Sequence, residues 1–203
     1  ALYGVNTSSV SDIGRVDGLF TFKDEAFDKM RVFTNNGSLS NCFDEFLKEY
    51  KSFDAVICSN DFAAVSLVRN LSEKDPNALK KLKILSCAKT KLSGFYKNMI
   101  TSVNMNFEQY GKAAVFIYEK LKAHPYMSGI TVTVKWNNKN EKTPRYKTVA
   151  LENSNKGYEF YADSEMRDML TAEKVLNLCS DTDRLILSSL INGLTLEETA
   201  NRC

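Results

Sequence analysis

Short apolar runs recur along the first half of the chain, each closed by a polar turn and followed by apolar positions at helical spacing. The opening run ALYGV at 1–5 precedes a Ser/Thr-rich turn and a helix expected to open at Ser11 or Asp12. Met30–Thr34 (MRVFT) is the second run, followed by an Asn-Asn-Gly turn and by Phe43, Phe46, Leu47 and Tyr50. The third, Val56-Ile57-Cys58, stops at Ser59-Asn60-Asp61, after which Ala63, Ala64, Leu67, Val68 and Leu71 share a helical face. A basic turn at 78–83 leads to Lys83–Cys87 (KILSC), and Ile100–Val103 (ITSV) comes next. Strands that alternate with helices in this way need right-handed crossovers and a parallel sheet with helices on both faces. Such strands are covered on two sides, which accounts for continuous apolar runs in place of strict alternation.

After residue 104 the pattern changes. Phe107, Tyr110, Ala114, Ile117, Tyr118 and Leu121 make a strongly apolar helix that a sheet or another helix must cover. Gly129–Trp136 (GITVTVKW) alternates and is expected to be a strand, residues 135–145 a charged loop, and TVAL at 148–151 an edge strand. Composition shifts at 152–162, read as a linker, and 163–203 holds three helical segments. The last opens with Thr195-Leu196-Glu197-Glu198, a capping box with Thr195 as N-cap and Glu198 at the third helical position.

Composition narrows the function classes. Lys+Arg 27 against Asp+Glu 25 leaves a net charge of +2, so contact with nucleic acid has to come from a local patch. Five scattered cysteines, odd in number and never in a C-x-x-C pair, fit a reducing cytosol better than a disulfide framework. No apolar run is long enough for a membrane span. There is no P-loop, no G-x-G-x-x-G and no His/Cys metal spacing. With His124 as the sole histidine, beside Pro125, neither a Ser-His-Asp triad nor a His-based zinc site can be assembled. No enzyme, cofactor or metal is therefore expected. Ala1 reads as the interior of a strand segment and LEETANRC stops within a helix, so the chain is expected to be an excerpt of a longer one.

DAVICSNDFAAVSLVRNL at 54–71 resembles the strand–Asn-Asp–helix segment of the lactose-repressor (LacI) family of effector-binding domains, which share the type I periplasmic-binding-protein fold. The resemblance runs collinearly over 1–151, including the Ser-rich turn and the Arg15-x-x-Gly18 spacing. It implies an incomplete lobe of that fold and a ligand cleft served by Arg15, Asn60, Asp61 and Phe107. It also implies that the sheet covering the 107–122 helix belongs to a lobe encoded mostly before residue 1. Where the family carries two acidic residues this chain has Ala88 and Lys89. A carboxylate that accepts from sugar hydroxyls is thereby lost, and an unmodified sugar held in the usual way is not expected. Lys89 either answers an anionic ligand or is a surface loop residue.

DRLILSSLINGLTLEETANR at 183–202 is similar to the LuxR-type helix-turn-helix, through Arg184, Gly193, Thr195, Glu198 and Ala200. Its recognition helix would follow Cys203. Taken together, the expectation is a cytoplasmic, dimer-forming transcriptional regulator that senses a small molecule and reads DNA. Two alternatives stand beside it: a solute-binding protein of a transport system, and a dimerisation domain without ligand.

Overall fold

The computed structural model describes residues 1–21, 30–35, 37–134 and 162–201. Strands β1 (Leu2–Val5), β2 (Val32–Thr34), β3 (Ala55–Cys58), β4 (Lys83–Cys87) and β5 (Ile100–Val103) form one sheet in the order β2-β1-β3-β4-β5. All four pairings are parallel. The helices are α1 (Val10–Thr21), α2 (Leu39–Leu47), α3 (Asp61–Lys74), α4 (Pro76–Leu79), α5 (Lys91–Gly94), α6 (Phe107–Ala123), α7 (Ser164–Leu178), α8 (Asp181–Ile191) and α9 (Leu196–Ala200). The chain is thus α/β, a parallel sheet flanked by helices with further helices at its C-terminal end. From β1 it steps outward to β2, then crosses back to β3 and continues through β4 and β5. Right-handed crossovers put α1 on one face and α2, α3 and α5 on the other. The reversal leaves a crevice at the carboxyl ends of β1 and β3.

The core lies on the α2/α3 face. Tyr3, Phe33, Val56, Cys58, Ile84 and Ile100 meet Phe43 and Phe46 of α2 and Ala64, Leu67 and Leu71 of α3. Phe46 presents its ring to the edges of Tyr3 and Phe33 at centroid distances of 5.4 and 5.3 Å. Each such pair adds about 0.5–1.5 kcal/mol beyond the area it buries. Ala63 takes α3 close to β1, where Gly4 has φ +75 and the β1–β2 register slips between Tyr3 and Val5. A Cβ on Gly4 would lie 2.6 Å from the Ala63 Cβ.

Helix α7 belongs to this core. Met166 and Met169 are buried in the same cluster. Asp163 accepts from Leu39 N–H at 2.7 Å and from Glu165 N–H at 2.9 Å, so one carboxylate caps α2 and α7 together. Ten residues on, Glu173 accepts from Lys91 N–H at 2.9 Å and Leu92 N–H at 2.7 Å, the opening of α5. Helix α7 therefore runs from the N-terminus of α2 to that of α5, touching α3 on the way. The segment beginning at 163 is joined to the sheet by packing. The expected linker, apart from Ala162, falls outside the described residues.

Other differences are local. Helix α1 starts at Val10, with Ser9 Oγ accepting from Asp12 N–H at 3.4 Å, slightly ahead of the expected Ser11 or Asp12. The basic turn contains α4, for which Asp75 is the N-cap. Residues 129–134 of the expected strand pair with no strand among the described residues, because alternation alone does not make a ladder. Its last two residues, the charged loop and TVAL lie outside the described residues. Helix α6 buries no residue completely: Phe107 is 61% and Tyr118 65% exposed, with Ile117 and Leu121 half-buried. Among the described residues nothing closes over its apolar face.

Replacing Gly4 by Ala forces a side chain into a left-handed backbone and against α3. The two penalties, about 1–2 kcal/mol for the backbone and about 1–3 for overpacking, predict a loss of roughly 2–5 kcal/mol. Gly18→Ala, inside α1 with open space around it, is expected to gain about 0.5–1 kcal/mol. Urea denaturation of both variants checks the signs.

Burial pushes the Cys42 thiol up to about 12 and the Cys58 thiol well above its ordinary value. Thiolate is the reactive form. Peptide mapping after brief alkylation at neutral pH is expected to find both cysteines unmodified in the folded protein and modified once urea unfolds it.

Candidate functional site

At the carboxyl edge of the sheet, β3 ends in Ser59 and Asn60, which enter α3. Asn60, not Asp61, is the N-cap: its backbone is extended, and its Oδ1 accepts from Ala63 N–H at 2.9 Å. Its Nδ2 donates to Ser59 Oγ at 3.2 Å, and that hydroxyl donates to Gly4 O at 2.6 Å. Asn60 thereby ties the start of α3 to β1, on the crevice side. The amide carries a second N–H beyond that bond, available to a ligand.

The carboxylate of Asp61 turns the other way. It is fully buried and accepts five hydrogen bonds. Ser86 Oγ at 2.5 Å and Ser102 Oγ at 2.6 Å donate to Oδ1. Thr90 N–H at 2.6 Å, Thr90 Oγ1 at 3.0 Å and Ser93 Oγ at 2.6 Å donate to Oδ2. The resemblance implies that Asp61 serves a ligand cleft; in the structure both of its oxygens accept hydrogen bonds from within the protein. Each donor comes from β4, β5 or the connection between them, so the carboxylate fastens that side of the sheet to α3. The signal for this cage was a serine in each of two apolar strands, Ser86 and Ser102, which are register partners. Thr90 and Ser93 could not have been assigned to it from spacing.

Arg15 sits elsewhere. Its Nη1 donates to Asp12 Oδ1 at 2.6 Å and Ser11 Oγ at 3.2 Å, and its side chain is 25% exposed. Asp12 Oδ2 accepts from Asn6 N–H at 2.9 Å, closing the β1–α1 turn. Burial raises the Asp12 carboxyl above its usual range, against the opposing pull of Asn6 N–H and Arg15. Arg15 also acts on Cys87, whose thiol burial raises while the guanidinium lowers it. Ser86 faces Asp61, so Cys87 faces the opposite side of the sheet, and Arg15 with it. Arg15 and Asn60 thus approach the same edge from opposite faces, and Asp61 is withdrawn beneath it.

Lys89 follows β4 and is exposed, lining a cleft against α8 that contains neither Asn60 nor Arg15. Phe107 opens α6, with Asn106 as N-cap, and its side chain stands largely exposed. At the C-terminal end, Thr195 Oγ1 accepts from Glu198 N–H at 3.2 Å and Glu198 Oε2 accepts from Thr195 N–H at 2.8 Å, completing the expected capping box. Gly193, at φ +78, forms the turn, with Leu194 N–H on Ser189 O at 3.1 Å and Gly193 N–H on Leu190 O at 3.0 Å. Arg184 closes the C-terminus of α7 by donating to Leu176 O at 3.2 Å and Cys179 O at 2.5 Å, and it pairs with Asp181. Among the described residues no group of His, Cys, Asp and Glu side chains is placed to hold a metal, and no helix is long and apolar enough to cross a membrane.

Asp61→Asn replaces an acceptor by a donor among donors. Hydrogen bonds to a charged group contribute about 1.5–3 kcal/mol each and do not add, so a loss of roughly 2–4 kcal/mol is expected. Ser102→Ala, which removes one donor of five, is expected to cost about 1–2 kcal/mol on the same scale. Equal stability of Asp61→Asn and the unaltered protein in urea would refute the cage.

No protein-family model, curated protein or solved structure matches the chain, so its function has to be argued from this edge, this cage and these caps.

Proposed function

We propose that the chain is the sensor portion of a transcriptional regulator, joined to the first two helices of a DNA-binding helix-turn-helix. The observation that carries the reading is the continuity of α7 with both parts. Met166 and Met169 bind it into the sensor core, and Arg184 locks its C-terminal carbonyls to α8. The capped helices α8 and α9 with their glycine turn are supported by the resemblance to the LuxR-type module, and the strand-edge residues by the resemblance to the lactose-repressor family. In this reading an effector sits at the carboxyl edge between β1 and β3, contacting Asn60 and the Asn6–Ser9 turn, with Arg15 reaching it from the other face. Phe107 serves the same cleft only when a second lobe places it there. The regulator works as a homodimer in the cytoplasm. Its DNA affinity shifts by no more than the effector's differential affinity for two arrangements.

The withdrawal of Asp61 and the internal commitments of Asn60 favour a second reading, in which the domain dimerises without ligand. A thermal-shift screen of sugars, sugar phosphates and nucleosides on the native gene product separates the two, with gel shifts on DNA from its own control region. The sensor reading expects a saturable shift from a charged ligand, none from neutral hexoses or pentoses, and a ligand-dependent change in DNA affinity. A neutral hexose that binds tightly, and loses its binding on substitution at Ala88, overturns the ligand assignment. A dimer that binds DNA and responds to none of the three classes supports the second reading.

A further inference from the structure

Beyond Cys87 the backbone enters a region that side chains other than glycine rarely adopt: φ is +121 at Ala88 and +54 at Lys89. The conformation is over-determined. Ala88 N–H donates to Val103 O at 3.1 Å, Lys89 N–H to Ser102 Oγ at 2.9 Å, and Thr90 N–H to the Asp61 carboxylate at 2.6 Å. Strain held this firmly points to a role for the residue it presents. Lys89 stands on a rigid knuckle and lines a cleft of about 630 Å³ between residues 89–98 and α8. Lys91, Lys97, Arg184, Asp181 and Ser188 line it too. Arg184 is committed to Asp181 and to the carbonyls of α7. Lys89, Lys91 and Lys97 form no ion pair among the described residues. Three uncompensated ammonium groups around one concavity raise the local concentration of anions.

We propose that this cleft binds a phosphorylated small molecule, its phosphate oxygens taken by Lys89, Lys91 and Lys97, and that the ligand bridges the sensor body to α8. A small anion fits better than the backbone of a nucleic acid. The first turn of α8 carries Asp181, whose side chain is 99% exposed, and Asp183, so a long polyanion passing that rim would meet two carboxylates. The proposal gives the sensor reading a ligand class and a second site, and rests on that reading for its purpose but not for its test.

The test is calorimetric titration of the 203-residue chain with inorganic pyrophosphate at low, constant ionic strength, sodium chloride serving as the matched blank. Saturable binding is expected. The variant K89N/K91Q/K97Q, with Asn chosen because it tolerates a left-handed backbone, is expected to weaken it at least tenfold. The control K51Q/K74Q/K81Q, which removes equal charge from outside the cleft, is expected to stay within twofold. If the triple variant loses its far-UV circular dichroism, K91Q and K97Q singly are each expected to weaken binding at least threefold. No saturable binding overturns the proposal, as does equal weakening in the control. Binding of a nonspecific DNA duplex that is lost in the cleft variant, with pyrophosphate inert, overturns it in favour of nucleic acid. An absent response at the Asn60 edge leaves the result intact, because Lys91 and Lys97 belong to no strand end.

Discussion

A carboxylate buried without a cation sets the terms for this structure. Taking Asp61 out of water costs several kcal/mol, and what offsets that cost is the set of five donors from Ser86, Thr90, Ser93 and Ser102. The donors come from β4, β5 and the connection between them, so all three are held in one arrangement relative to α3. The left-handed pair Ala88–Lys89 follows from it, since Thr90 reaches the carboxylate only if the chain turns sharply after β4. Helix α5 follows as well: Thr90 is its N-cap, and its first N–H groups are then presented to Glu173. The position of α7 depends in this way on a side chain more than 100 residues earlier.

The strands and the α/β class were legible because a strand buried on two faces has to be written as an uninterrupted apolar run. KILSC and ITSV match β4 and β5 residue for residue. The site was legible only in outline. Asn60 and Asp61 are equally good N-cap types, and nothing within the segment tells which one caps. The choice falls to hydroxyl groups 25 to 41 residues away that claim the carboxylate. Arg15 illustrates the same limit: its helix could be read from the pattern, but its pairing with Asp12 and its place beside Cys87 depend on which face α1 covers. The stretch 129–134 alternates clearly yet takes no strand conformation, because alternation marks a face and does not itself make a ladder.

Magnitudes also decide how a signal can travel through α7. Detaching the helix uncovers Met166 and Met169, worth about 1.5–3 kcal/mol each when buried, and releases three N–H groups from the carboxylates of Asp163 and Glu173. Together these exceed roughly 5 kcal/mol even at the low end of the net scale for charged hydrogen bonds. The usual coupling between two sites is about 1–3 kcal/mol. A ligand of ordinary differential affinity, if the chain binds one as proposed, would therefore not act by releasing α7, which is fixed to the sheet by its packing and caps. Helix α8 is the softer joint. It is fixed to α7 mainly through Arg184, it buries only Ser189 completely, and it faces residues 89–98 across an open cleft. If α8 and α9 read DNA as proposed, a few kcal/mol applied at the α7–α8 corner would act on them more readily than the same energy applied at the core.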